Sequence, residues 1–456
     1  MGHRFDPGIL REYDIRGIVG TTLFAADALA LGRAFVAHTG CRRVAVGYDG
    51  RLTSPELEAA LVEGLAAGGA DVVRIGLGPT PMLYFAAATL GVDGGIMVTG
   101  SHNPPDHNGF KMVLGGKPFY AEQLQALGRT ALALGAPVRA RGRIEEHAIA
   151  EDYTTRIARD FDKGRPLTVA WDPGNGATGA IVAALTARLP GTHHLINAAI
   201  DGRFPAHHPD PTVPENLEQL QHEVTRQGCD LGIAFDGDGD RIGVVDATGR
   251  ILWGDQLMIV LARDVLRRHP GAPIIADVKA SDVLFDEIAR AGGRPVMLRT
   301  GHSPIKEKLA ELNAPLAGEM SGHIFFGDRW YGFDDAIYVA VRLLGILGRS
   351  DLSLSQIADR LPVMFNTPEL RFDCDEARKF AIVAEVAERL RQRGAEVIDI
   401  DGVRVKQPDG WWLVRASNTQ AVIVARAESA SADGLAHLKR EIVNELAASG
   451  LTVSLD

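Results

Sequence analysis

Three times along this 456-residue chain, a short β-branched apolar run ends at an aspartate, passes through a small-residue loop and enters a helical pattern. Val44-Ala45-Val46-Gly47-Tyr48 leads into Asp49-Gly50-Arg51, and Thr53-Ser54-Pro55-Glu56 then reads as a helix cap and first turn. Leu167-Thr168-Val169-Ala170-Trp171 leads into Asp172-Pro173-Gly174-Asn175-Gly176, with a helix expected through Ala187. Ile274-Ile275-Ala276 leads into Asp277-Val278-Lys279, with Ser281 as the cap of the next helix. Any α/β protein makes such units. Recurrence at intervals of roughly one domain length points further, to an internal repeat of three similar α/β domains, each a mixed sheet flanked by helices. From about Thr367 the pattern changes to a strand, a helix over Asp375–Arg393, strands over Trp411–Val414 and Ala421–Ala425, and a helix near Ala432–Ala448. That order describes a smaller C-terminal α+β domain with antiparallel strands. The expected domains are residues 1–147, 148–250, 251–365 and 366–456.

Composition narrows the function. At 46% hydrophobic and 23% charged, the chain can build a core in every domain, and wholesale disorder is excluded. Lys+Arg 48 against Asp+Glu 58 gives a net charge of −10, which argues against nucleic acid or an anionic membrane as partner. A local basic pocket for a phosphorylated metabolite is compatible with that balance. Cys41, Cys229 and Cys374 are scattered and odd in number, so no disulfide framework is expected and a reducing cytoplasm is the expected location. The start, MGHRFDPGIL, has no signal-peptide pattern, and Asp6 stands where a myristoylation motif needs a hydroxyl. No apolar run approaches the ~20 residues of a membrane span.

The strongest chemical signal is Asp236-Gly237-Asp238-Gly239-Asp240-Arg241, between apolar runs Leu231–Phe235 and Ile242–Val245. Alternate residues of an extended strand stand ~6.6 Å apart, so glycines are needed to curl three carboxylates onto one ion. Hard oxygen ligands favour Mg2+. An EF-hand fails, with Arg241 where Gly is required and Ala247 where Glu is required. An aspartyl-phosphatase motif fails at Asp240, and an acidic surface turn is the competing reading.

A second signal is Thr99-Gly100-Ser101-His102-Asn103-Pro104-Pro105, a serine presented on a loop after Gly95–Val98, with Lys111 in local reach. The hydrolase elbow does not fit it, and a plain Asn-Pro turn competes. In Gly318-Glu319-Met320-Ser321-Gly322-His323, a carboxylate and a hydroxyl two residues apart suit the adjacent hydroxyls of a polyol. Arg415-Ala416-Ser417-Asn418-Thr419 gathers a guanidinium, hydroxyls and an amide on one turn, which suits a phosphate. For both, an ordinary loop or capped hairpin is the alternative. Gly174-Asn175-Gly176-Ala177-Thr178-Gly179 is a literal Gly-x-Gly-x-x-Gly, but the strand expected over His194–Ile196 ends in Asn197 rather than an acid. Tight strand-to-helix turning is the better reading there.

In this order and spacing, the four segments resemble the α-D-phosphohexomutase superfamily, its bacterial phosphomannomutase/phosphoglucomutase branch in particular. Glu12-Tyr13-Asp14-Ile15-Arg16-Gly17, Phe204-Pro205, His207-His208-Pro209-Asp210-Pro211 and Thr300-Gly301-His302-Ser303 add to the match, which covers essentially the whole chain. The resemblance implies four domains around one central cleft, and reversible transfer of a phosphoryl group between the 1- and 6-positions of mannose or glucose phosphates. It implies that Ser101 is a phosphoserine, and that Ser101, Asp236, Asp238 and Asp240 hold Mg2+. It also implies that a hexose 1,6-bisphosphate is both intermediate and activator. Glu319 and Ser321 resemble the readers of the sugar hydroxyls, and Arg415, Ser417, Asn418 and Thr419 the phosphate clamp. Arg16, His102, Lys111, Arg241 and His323 match catalytic positions, and Tyr13, Lys279 and His302 substrate-binding ones. Lys111 and His323 are both candidates for the general base. Met320 and Asn418 match this branch, whereas glucosamine-specific relatives carry Gln and Gly. A phosphoglucosamine mutase is the alternative enzyme, and a non-catalytic metal-binding scaffold for sugar phosphates is the alternative outside enzymes. The expected state is a monomer or weak homodimer.

Overall fold

The computed structural model describes residues 2–135, 140–161, 164–417 and 420–455. The repeated units seen in the sequence are the centres of three sheets. The first runs, edge to edge, Ile15–Ile18, His107–Leu114, Gly94–Val98, Arg43–Tyr48, Asp71–Leu77 and Ile144–Glu146, with Lys117–Pro118 paired to His107–Leu114. The second runs Ile251–Leu252, Ile242–Asp246, Leu231–Phe235, Leu167–Asp172 and Gly191–Leu195. The third runs Arg294–Leu298, Pro273–Asp277, Leu316–Gly318 and Ile324–Phe326.

All three share one plan. The strand that leads to the recurring aspartate is parallel to both its neighbours. Parallel neighbours need a crossover, and helices Ser54–Ala67, Gly179–Thr186 and Asp282–Arg290 provide it. The other neighbour then turns back into an antiparallel strand. The three returning loops carry Ser101, the Asp236–Asp240 triplet, and Glu319 with Ser321. The three sequence motifs therefore occupy one equivalent position, repeated in three sheets.

Helix Ala336–Gly348 is buried along its whole length, as an apolar AIYVAVRLLGILG sequence requires. Its core is continuous with residues of all three sheets, including Val73, Val169, Ile233, Ile274 and Phe326. Arg342, the one charge on the helix, pairs with Asp328 at 2.8 Å and lies over Phe326.

The last sheet is antiparallel throughout. It runs Phe365–Asn366, Val422–Ser429, Gly410–Ala416, Val403–Gln407 and Val397–Ile398, and Leu370–Asp373 also pairs with Val422–Ser429. Helices Lys379–Gln392 and Ala432–Ala448 cover one face, packing Val386 and Ile442 against Val405 and Trp412. The α/β class with a smaller α+β end is what the chain adopts. Among the described residues, no helix is long and apolar enough to cross a membrane.

Several local expectations need correction. Strand Val403–Gln407 was not foreseen: it is short and half polar, and pairing to Gly410–Ala416 makes it. Thr53 does not cap its helix with its side chain. Its hydroxyl instead accepts from Asn108 Nδ2 at 3.0 Å, and Ser54 Oγ donates to Asp49 at 2.5 Å. The helix expected from Asp375 begins at Lys379, and the strand expected over His194–Ile196 is Gly191–Leu195. Ser281 does cap its helix, accepting from Val283 N at 3.1 Å.

Candidate active site

Ser101 stands just past strand Gly94–Val98, with its backbone in the left-handed region at φ 51°. That conformation costs a non-glycine residue roughly 1–2 kcal/mol, so its surroundings must hold it. Thr99 Oγ1 accepts from Ser101 N at 2.8 Å and itself donates to Asp49 Oδ2 at 2.8 Å, which also receives Gly100 N at 3.1 Å. The buried Arg51 donates to Ser101 O at 2.8 Å. Thus supported, Ser101 Oγ lies 3.1 Å from Asp236 Oδ2 and 3.2 Å from His102 Nδ1.

The acidic loop curls as its glycines permit. Gly239 takes φ 77°, and Asp236 Oδ1 accepts from the backbone N–H groups of Gly239, Asp240 and Arg241 at 2.9–3.1 Å. Gly237 lies directly against the Ser101 carbonyl, where a Cβ would overlap it. Three carboxylates are thereby brought together, all fully buried. Lys111 Nζ donates to Asp238 Oδ2 at 2.7 Å and to Asp240 Oδ2, and Thr80 Oγ1 also donates to Asp238. Burial alone would lower the Lys111 pKa, but Asp238 and Asp240 hold it well above its usual value. Burial, followed by the charges of Asp240 and Asp238, pushes Asp236 well above the carboxylate range.

The donor set fits a divalent ion. One oxygen from each aspartate lies within 4.8 Å of the others, and Asp238 Oδ1 and Asp240 Oδ1 are buried without a hydrogen-bond partner. Adjacent ligands on an octahedral ion at ~2.1 Å stand ~3 Å apart, and the Ser101 Oγ–Asp236 Oδ2 separation is 3.1 Å.

A chain of direct contacts leads from this centre to the last domain. Arg241 Nε donates to His323 Nε2 at 2.9 Å, so the His323 proton sits on Nδ1, which lies 3.0 Å from Asp334 Oδ2. The other Asp334 oxygen takes Lys306 Nζ at 3.0 Å. The His323 ring stacks on His302 with centroids 5.5 Å apart, and His302 meets Tyr13 edge-on at 5.9 Å. Tyr13 Oη donates to Thr300 O at 2.9 Å. Thr300 N and Arg415 Nε then share Asp401 Oδ2, each at 3.0 Å. Beside this line, Glu319 Oε1 accepts from Gly301 N at 2.7 Å, and Ser321 is half-buried next to it. Lys279 Nζ pairs with Glu369 at 2.8 Å. Burial holds Asp277 at about 6, with its Oδ1 accepting from Met320 N. Arg16 donates to Asn103 Oδ1 at 2.9 Å and pairs with Asp14 at 2.5 Å.

Burial, then the charges of Arg241, Arg16 and Lys111, push His102 well below the usual imidazole value, so it is neutral at pH 7. Burial and Lys306 do the same to His302. Of the loop expected to clamp a phosphate, Ser417 Oγ accepts from Gln420 N at 3.2 Å, while Asn418 and Thr419 lie outside the described residues.

Sequence reasoning passed over Arg51, Thr80, Lys306, Asp334 and Asp401 as members of this site. Only Arg51 carried a signal, two positions after the first of the repeated aspartates. The Gly-x-Gly-x-x-Gly loop proves structural. Gly176 packs on Gly237, Gly179 packs on Ala198, and Ala177 N donates to Gly237 O at 2.9 Å.

Family models for the phosphoglucomutase/phosphomannomutase α/β/α domains I, II and III match residues 8–134, 151–249 and 253–365, and the model for the C-terminal domain matches residues 369–445. The chain belongs to the phosphoglucomutase/phosphomannomutase family. Within that family it is 46% identical over 448 residues to a phosphomannomutase/phosphoglucomutase of Pseudomonas aeruginosa, covering 96% of each chain. It is 43% identical over 427 residues to a phosphoglucomutase of Neisseria gonorrhoeae, covering 92% of this chain and 93% of that one. The crystal structure of a family protein from Burkholderia thailandensis superposes with a TM-score of 0.92 at 44% identity, covering 98% of both chains. The resemblance drawn from the motifs is borne out.

Proposed function

We propose that this chain is a hexose-phosphate mutase, moving a phosphoryl group reversibly between the 1- and 6-positions of glucose and mannose phosphates through Ser101. The observation that carries this reading is the 3.1 Å approach of Ser101 Oγ to Asp236, at the edge of a buried carboxylate triplet with two unpartnered oxygens. Asp236, Asp238 and Asp240, with an oxygen on Ser101, would hold Mg2+. When bound, that ion supplies Lewis-acid stabilisation of charge on the phosphoryl oxygens.

The chain's own groups do the rest. A phosphoserine adds about −1.5 to −2 charge, and Lys111 and Arg241 stand beside the triplet to offset it. Lys111, held protonated by Asp238 and Asp240, acts as a fixed cation. Proton transfer to and from the sugar hydroxyl is assigned to His323 Nε2, which becomes available as Arg241 turns from it to the phosphoryl oxygens, and Asp334, 3.0 Å from Nδ1, would stabilise the imidazolium. Arg415, with the Ser417 loop, anchors the distal phosphate. Glu319 and Ser321 read the 3- and 4-hydroxyls, which keep equivalent places when the bound 1,6-bisphosphate turns end for end. Glucose and mannose differ only at carbon 2, so both are substrates.

The test is intact-mass measurement together with coupled assays on glucose, mannose and glucosamine 1-phosphates side by side. Expected are one phosphoryl group on Ser101, comparable turnover of glucose and mannose phosphates, and no turnover by Ser101→Ala. Preference for the glucosamine ester would make the chain a phosphoglucosamine mutase. Binding without turnover of any of the three would make it a scaffold.

A further inference from the structure

Ser101 is held by a residue whose guanidinium hydrogen bonds go to the serine loop rather than to the acidic triplet. Arg51 is completely buried, and its two terminal nitrogens spread over the serine loop. Nη1 donates to Pro104 O at 2.5 Å and His107 O at 2.9 Å, while Nη2 donates to Ser101 O at 2.8 Å and Asn103 O at 2.6 Å. Four backbone carbonyls of one loop thus converge on one planar group. Gly100 lacks a side chain where a Cβ would fall on the guanidinium, so the loop lies flat against it.

The opposite side of Arg51 faces the second domain. The Phe204 ring lies 5.2 Å from the guanidinium carbon, and Phe204 takes φ 50° to reach it. Gly202 packs on the Arg51 backbone, and Gly50 packs on Ile200. The acidic loop belongs to that same second domain and meets the serine loop backbone to backbone at Gly237.

We propose that Arg51 is a positioning residue for phosphoryl transfer. It fixes the left-handed Ser101 backbone from within its own domain, and through Phe204 it registers that loop against the second domain, so that Ser101 Oγ meets Asp236. Lysine cannot replace it, because one ammonium cannot span four carbonyls arranged for a planar fork. The inference rests on the phosphoserine reading above and assigns that site a supporting residue.

The test follows phosphoryl uptake on Ser101 by intact mass after mixing dephosphorylated protein with glucose 1,6-bisphosphate and Mg2+, alongside steady-state kinetics. Wild type, Arg51→Lys and Phe204→Leu are compared. Glu319 and Arg415 lie on other domains, so Arg51→Lys is expected to slow uptake and lower kcat by about 100-fold. KM for the hexose phosphate is expected to stay within threefold. Phe204→Leu keeps all four carbonyl bonds and is expected to lower kcat three- to tenfold, giving a readout even if Arg51→Lys does not fold. Rapid uptake by wild type and by both folded variants would overturn the positioning role while leaving the phosphoserine reading intact. No uptake by wild type would overturn both. A fall in kcat that vanishes once rates are divided by the folded fraction would make Arg51 merely structural.

Discussion

Replacing Gly237 by alanine tests whether the serine loop and the acidic loop are held in backbone contact. Gly237 has a negative φ, so alanine brings no backbone strain, and the only cost is steric. Its Cβ would overlap the Ser101 carbonyl oxygen and stand 3.2 Å from that carbonyl carbon and 3.4 Å from Pro209 Cγ. Restoring ordinary contact requires the loops to part by roughly 1 Å. Neither can yield cheaply, since Arg51 holds the Ser101 carbonyl and Pro209 O accepts from Gly237 N at 3.2 Å. The 3.1 Å approach of Ser101 Oγ to Asp236 would open to about 4 Å, too far for adjacent ligands on one small ion. A misplacement of this size costs about 100-fold in rate, or ~2.7 kcal/mol of transition-state stabilisation. Overpacking costs a further ~1–3 kcal/mol of stability. Coupled mutase assays across a Mg2+ titration, with a thermal melt on the same sample, measure both. A folded Gly237→Ala protein with kcat within threefold of wild type and an unchanged metal requirement would refute the backbone contact.

Lys111→Met removes the buried cation between Asp238 and Asp240. We expect at least a ~100-fold fall in kcat, and a melting temperature that rises more steeply with added Mg2+ than that of wild type, since the ion then takes the place of the lost ammonium as counter-charge. Asp335 caps helix Ala336–Gly348 through Tyr338 N at 2.9 Å, and burial raises it to about 7. Its unfolded value is ~3.9, so its contribution to stability is fullest below about pH 4 and is lost as pH rises to about 7, a span of about 4 kcal/mol. Asp335→Asn should therefore raise the melting temperature at pH 8, with the gain shrinking towards pH 4. Parallel melting curves for the two proteins across that range would contradict it.

The sequence was most legible where function is written in adjacent residues. Asp236, Asp238 and Asp240 fall within five positions, and their mutual repulsion already demands a cation. The repeated strand-and-aspartate units were visible because strand period and helix caps are local. What could not be read depends on contacts between distant residues. Arg51 reaches Ser101 across 50 positions and Phe204 across a domain boundary. Asp334 matters only because His323 and Lys306 fold onto it. Strand Val403–Gln407 exists through its neighbour, and Thr53 lost its capping role to a side chain 55 positions away.

Three hairpin turns hang from three sheets of the same design, yet one bears Ser101, one the acidic triplet and one Glu319 with Ser321. A duplicated scaffold has thus been divided into separate trades. On the proposed function, sugar preference should be open to redesign by exchanging residues 319–321 alone, leaving His323 and the other two turns untouched.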